Sequence, residues 1–160
     1  MKALTLPPKP GLPITEGQDH MARCPVHKLR LRLRDAGLRP TRQRIALGWL
    51  LFGKGHRHVT AEVLFDEASR ARVPLSLATV YNTLHQFTEA GLLREIAVDG
   101  AKTWFDTNVS HHHHFLIEGQ NDLVDIPAGV IDVVGMPDAP HGLEVDRVDV
   151  VIRLKRVAAP

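Results

Sequence analysis

The sequence predicts an α+β protein: a helical N-terminal half closed by a β-hairpin, then a smaller α/β unit. Three observations lead there. Four segments before residue 90 carry helix signals, and three of them stop near glycines. Two β-prone runs flank Asp99-Gly100, a strong hairpin signal. Beyond Asp106 helical spacing gives way to β-branched clusters such as Val148, Val150, Val151 and Ile152. A chain of 160 residues suffices for two small domains. The divisions expected are a flexible arm over 1–20, a first domain over 21–106 and a second over 107–160.

The arm holds Pro7, Pro8, Pro10, Gly11, Pro13 and Gly17. A first helix is expected over 26–36, with Gly37 as its stop. Thr41 is placed to cap a second, Arg42–Phe52, whose apolar residues mix faces, and Gly53 and Gly55 end it. Thr60 is placed to cap a third, Ala61–Arg70, with Val63, Leu64 and Ala68 facing inward. Ser76 opens the fourth. There Leu77, Val80, Leu84 and Phe87 recur every three or four residues and predict a buried stripe, ended by Gly91. Strands are expected over 92–98, Lys102–Asp106, 113–118, 123–126 and 143–154. A short helix is expected over 127–135, with Pro127 in its first turn.

The last three helices, followed by a tight hairpin, describe a winged helix-turn-helix, with the fourth helix entering the DNA major groove and the hairpin as wing. That helix presents a polar, nearly uncharged face of Thr79, Asn82, Thr83 and Gln86, with Tyr81 beside the stripe. Ser76, Thr79 and Asn82 are the donors and acceptors expected to meet DNA. Charge agrees. Between residues 22 and 44 there are eight Lys or Arg against Asp35 alone, whereas from Asp106 onward nine acids face four bases. The basic half suits a phosphate backbone. A two-fold dimer is the matching assembly, because paired half-sites need one. The single cysteine, Cys24, excludes an internal disulfide and any zinc site built from several cysteines of one chain, which suits a reducing cytoplasm. No apolar run approaches the roughly 18 residues that cross a bilayer, so no membrane partner is expected.

His111, His112, His113 and His114 are consecutive and internal. On a strand, alternate side chains face opposite ways, so His112 and His114 share one face and His111 and His113 the other. One segment can therefore seed two sites. Imidazole suits zinc, iron, copper, nickel and haem iron alike. Asp106, Asp125 and Asp132 supply nearby carboxylates, and His58 lies in the helical half. A ligand tying His58 and Asp106 to His112 and His114 would fix the angle between the two domains.

The run Leu77-Ala78-Thr79-Val80-Tyr81 with Leu84, Phe87, Gly91 and Leu92 resembles the recognition helix of the Fur superfamily of metalloregulators. So do His58-Val59-Thr60-Ala61-Glu62, Thr41 with Gln43-Arg44, and a His-rich strand after Phe105-Asp106. The resemblance implies a winged-helix domain joined to an α/β dimerisation domain. Sensor metal ligands, for iron, manganese or zinc, would be His58, Asp106, His112, His114 and Asp125. A second site would use His111, His113 and Asp132. Its usual fourth histidine would lie near Val148 and Asp149, where none is present. Tyr81, and by position Arg42 and Arg44, would contact DNA. Many members hold structural zinc with two Cys-x-x-Cys pairs. Here Ile117 and Gln120 occupy the first pair's positions, so no four-cysteine zinc is expected.

Cys24-Pro25-Val26-His27 resembles a haem regulatory motif, in which a thiolate before proline is an axial ligand. With the histidine run it is most similar to the iron-response-regulator (Irr) branch of the superfamily. That branch implies a repressor or activator of iron and haem genes that haem disables, through Cys24 or through His112, His113 and His114. Three other readings stay open: a divalent-metal sensor without haem, a winged helix that binds RNA or protein without sensing, and a zinc hydrolase. The last lacks a His-Glu-x-x-His signature, and the expectation is a regulator rather than an enzyme.

Overall fold

The computed structural model describes residues 24–99, 102–120 and 122–157. The expected arm over 1–20 lies outside them. Helix α1, Pro25–Asp35, starts on a proline and turns Leu29 and Leu33 inward. Gly37 adopts φ +77°, and Leu38 N–H donates to the Leu33 carbonyl, which closes the helix. Helices α2 (Arg42–Phe52), α3 (Ala61–Arg70) and α4 (Leu77–Glu89) start where local chemistry dictates. Each cap oxygen (Thr41, Thr60 and Ser76) accepts a backbone N–H three residues on. Gly91, at φ +70°, ends α4. Strand β1 (His58–Val59) precedes α3, and the wing is β2 (Arg94–Asp99) with β3 (Lys102–Asp106). The second sheet comprises β4 (His113–Ile117), β5 (Asp122–Ile126) and β6 (Val151–Leu154).

Two apolar clusters organise the chain. The larger gathers Leu33, Leu47, Leu51, Val59, Leu64, Val80, Leu84, Phe87 and Phe105 from the helices, β1 and β3. The smaller gathers Ile96 and Trp104 of the wing with Leu116 and Leu123 of the second sheet. The wing therefore lies against the second sheet. Sheet order is β1-β3-β2, all antiparallel, and β5-β4-β6, where β6 runs parallel to β4.

Several expectations are corrected. Residues 127–135 form no helix: a single turn at Pro127–Val130 leads into irregular chain. Gly129 and Gly135 take positive φ, and Val130, Ile131, Val133 and Val134 are poor helix formers. The strand expected over 143–154 shrinks to its last four residues, because β4 offers only His114–Ile117 to pair with. Earlier residues of that run have no neighbouring strand among the described residues. Asp99 stands in register opposite Lys102, so it belongs to the ladder and not to the turn. Within the helices, Leu77 and Val63 are exposed, whereas Thr83 is buried with its hydroxyl donating to the Thr79 carbonyl.

Candidate metal centre

Five side chains from four strands and one loop converge between the wing and the second sheet. β1 supplies His58 and β3 ends on Asp106; in the ladder these two stand directly opposite each other. The loop after β3 delivers His112, β4 carries His114, and Asp125 faces it from β5. One ligand atom from each of the five lies within 4.8 Å of all the others. Ligands about 2.1 Å from a shared ion sit no more than about 4.2 Å apart, so closure by a few tenths of an ångström makes a coordination shell.

Imidazole nitrogens and carboxylate oxygens crowd together here. His58 Nε2 lies 2.8 Å from Asp125 Oδ1, and His112 Nε2 lies 2.9 Å from Asp106 Oδ2. Even so, His58 Nε2, His112 Nε2 and Asp125 Oδ1 are buried without a hydrogen-bond partner. Buried polar atoms are rarely left this way. Asp106 and His114 are wholly buried. Burial would raise the Asp106 pKa, but the His114 imidazole at 3.4 Å, the His58 imidazole at 3.6 Å and the Asn108 backbone N–H outweigh it. Its carboxyl is held far below the usual carboxylate range. For His58, burial works to lower the pKa. The nearby Asp106 carboxylate, with Asp125 and Asp122 behind, reverses that and raises it. Three imidazoles and two carboxylates form a nitrogen-oxygen donor set whose charge a divalent ion cancels.

Asn108 escaped the sequence reading. Its N–H donates to Asp106 Oδ1 at 2.7 Å and its Nδ2 to Asp125 Oδ2 at 3.1 Å. The other oxygen of each carboxylate is thereby turned toward the imidazoles. Arg94 escaped it too, a buried cation beside His112. Glu62 is a third such residue, accepting from the Tyr81 hydroxyl at 2.6 Å. Nothing local in the sequence marks these three; each acts through a partner at least 16 residues away, apart from the Asn108–Asp106 turn.

The other expected ligands are not assembled. The rings of His111 and His113 meet edge to face at 5.5 Å. His113 Nδ1 accepts the Val150 N–H, and Asp132 is exposed on irregular chain. Asp149, near the place of the missing fourth histidine, is bound by Arg94 and Arg147. Among the described residues, the five-residue group is the one cluster with metal-ligand spacing. Cys24 is an exposed free thiol at the N-cap of α1.

Of the residues expected to meet DNA, Ser76 caps α4 and Asn82 is exposed on it. Thr79 shares a hydroxyl contact with Ser76. Arg42 is exposed at the start of α2. Arg44 is partly committed within the fold: its guanidinium donates to Gln86 Oε1 and to the Arg39 carbonyl. No helix among the described residues is long and apolar enough to cross a membrane.

Comparison with known proteins agrees with this architecture. The peroxide-responsive repressor PerR of Staphylococcus epidermidis is 33% identical over 102 residues, 64% of this chain and 67% of its own length. PerR of Staphylococcus aureus is 34% identical over 93 residues, 58% of this chain and 62% of its own length, so the chain spans less than two thirds of that relative. In fold, the Vibrio cholerae ferric uptake regulator matches with a TM-score of 0.64 at 22% identity, over 79% of this chain and 98% of its own. The Pseudomonas aeruginosa ferric uptake regulator, whose structure contains manganese, matches at TM-score 0.60 and 24% identity, over 80% and 97%. The ferric uptake regulator family matches residues 35–150, which is most of the sequence. The chain belongs to the ferric uptake regulator family of transcription regulators.

Proposed function

We propose that this chain is a homodimeric operator-binding regulator of iron homeostasis whose DNA affinity is set by a divalent cation at His58, Asp106, His112, His114 and Asp125. One observation carries the reading: five ligand atoms from the wing sheet and the second sheet converge within 4.8 Å, three of them on buried atoms without partners. A bound divalent ion supplies the positive charge that lets these groups share one centre. His58 and Asp106 come from the DNA-reading part over 21–106. His112, His114 and Asp125 come from the part over 107–160. The same residues that hold the ion thus hold the wing sheet to the second sheet, and α4 moves with the wing. The nitrogen-oxygen donor set suits manganese, iron or zinc, and relatives of this fold contain manganese, iron or zinc.

A second copy has a surface to meet. Val130, Val134, Leu143, Val145, Ile152 and Leu154 are exposed apolar residues on the second half. Toward DNA, the exposed N-terminal end of α4 offers Asn82 beside Ser76, Thr79 and Tyr81, and Arg42 adds a cation.

A haem-responsive reading is favoured by a separate observation at the other end of the molecule. Backbone N–H groups of His27 and Val26 lower the Cys24 thiol pKa, and Arg30 adds to this. Beside it opens a cavity of about 390 Å³ lined by Pro25, Lys28, Arg32, Trp49 and Phe52. Aromatic walls with two cations suit a planar ring bearing carboxylates. His112 and His114 are buried within the five-residue cluster, so Cys24 is the ligand that a porphyrin reaches without opening the fold.

The test is selection from a randomised duplex pool by apo-protein with chelator, with Mn²⁺, Fe²⁺ or Zn²⁺, and with haem. Enrichment of a two-fold symmetric site only with a divalent ion supports the metal reading. Release of that site by haem, abolished by Cys24→Ala, supports the second. No enrichment under any condition overturns both.

A further inference from the structure

We propose that Arg94 is a positioning residue for the metal centre: through the Ser110 carbonyl it holds His112 in its ligand orientation, and through Asp149 it ties that ligand to the chain entering β6. The inference rests on the reading of the five-residue cluster as a divalent-cation site.

Arg94 begins β2, in register opposite Asp106, and is 7% exposed. A guanidinium so deeply buried is costly unless its donors are used, and here both terminal nitrogens are used while Nε is buried without a partner. Nη1 donates to the Ser110 carbonyl at 2.6 Å, and Nη2 donates to Asp149 Oδ1 at 2.5 Å. The same Ser110 carbonyl lies 2.8 Å from His112 Nδ1. A carbonyl oxygen accepts two hydrogen bonds, and a guanidinium only donates. The consistent arrangement has Ser110 accepting from both Arg94 and His112 Nδ1–H. The 3.2 Å approach of Nη1 to His112 Nδ1 is then a side effect of their common acceptor. With its proton on Nδ1, His112 turns a bare Nε2 toward Asp106 Oδ2 at 2.9 Å and Asp125 Oδ1 at 3.4 Å. A lone pair facing two carboxylate oxygens is the arrangement that a cation resolves, and it accounts for the unpartnered Nε2.

The far side of Arg94 extends the link. Asp149 Oδ2 is held by Arg147 Nε, so both oxygens of that carboxylate are taken. The next residue, Val150, donates its N–H to His113 Nδ1 and accepts the His114 N–H. Arg94 thus connects the wing, the ligand histidines and the chain entering β6. Partners of this kind, one step behind a ligand, typically change metal affinity by about 10–100-fold.

Cobalt(II) titration of the full chain, followed by its visible absorption, tests the proposal. Wild type is expected to bind one Co²⁺ per chain, and His112→Ala to lose it; failure of either arm overturns the underlying site reading. Given those, Arg94→Ala is expected to bind about 10–100-fold more weakly with a changed cobalt spectrum. Arg94→Lys, which keeps the charge but loses the two-pronged fork, is expected to recover thermal stability without recovering the wild-type spectrum. Should Arg94→Ala not fold, Asp149→Asn, at a position one third exposed, decides. It is expected to weaken binding severalfold and shift the spectrum. Wild-type affinity within threefold and an unchanged spectrum in Arg94→Ala, or in Asp149→Asn where that variant decides, would overturn the role of Arg94.

Discussion

The two faces of the histidine segment carry the same residue type and have different fates. His112 and His114 turn toward two carboxylates whose other oxygens Asn108 already occupies. His111 lines a cleft with Arg94, Arg147 and Glu95, an acid that is partly exposed and lies beside His85, while His113 Nδ1 accepts the Val150 N–H. There the nearest acid of the β6 approach, Asp149, is neutralised by those arginines, and Asp132 stays exposed. The difference lies in the anions. An imidazole becomes a metal ligand when buried carboxylates converge on it, and four identical side chains in a row are sorted by what the neighbouring strands bring to each face.

The strongest way to break this contrast is to delete one ring from each face. His114→Ala removes a wholly buried member of the five-residue group. It should lower Mn²⁺ affinity by about 100-fold or more, while His111→Ala should change it by less than about threefold in calorimetric titration. Similar losses for both would mean that the faces are not distinct.

A second prediction uses protons. In the metal-free chain, the raised His58 pKa contributes stability that is present below its ordinary value of about 6.5 and is lost as pH rises through the folded value. The depressed Asp106 pKa contributes stability present above about 4 and lost as pH falls through its folded value. Metal binding needs His58 neutral. As pH rises above about 6.5, the Tm of chelated protein should therefore fall from this pair, while the stabilisation added by saturating Mn²⁺ grows. Parallel slopes with and without metal would remove His58 from the ligand set.

A smaller effect separates sensing from reading. Tyr81→Ala should weaken operator binding by about tenfold, with dimer mass and Mn²⁺ affinity unchanged. Unaltered DNA affinity in a mobility-shift titration would take Tyr81 out of the interface. The least effect is expected at Asp132→Asn, which should leave Mn²⁺ affinity within about twofold. A larger loss would reinstate a second site on the His111 face.

Much of this was readable from residues alone. Thr41, Thr60 and Ser76 cap helices through bonds spanning three residues, so local sequence determines where those helices begin. The pairing of His112 with His114, and of His111 with His113, follows from strand alternation, and their rings meet in those pairs. What could not be read depends on distant partners. Leu77 fits the stripe by spacing but lies in the first turn of α4, beyond the core, while Thr83 is buried by the packing of α4. The β-branched residues before Val151 look like strand because a strand signal does not say whether β4 extends far enough to pair with them. Arg94 reads as an ordinary wing residue until the fold sets Ser110 and Asp149 against it.

The parallel pairing of β6 with β4 has a consequence for how the molecule breathes. Parallel neighbours need a long crossover, usually helical. Here the return path after β5 is 24 residues, 127–150, without regular secondary structure. Closing so long a loop costs entropy that this stretch recovers with little burial of its own. The four-residue β6 should be among the first parts of the second sheet to open, so its amides should exchange with deuterium early. A ligand that orders His112 and His114 would slow that exchange in a strand that contributes none of the five ligands.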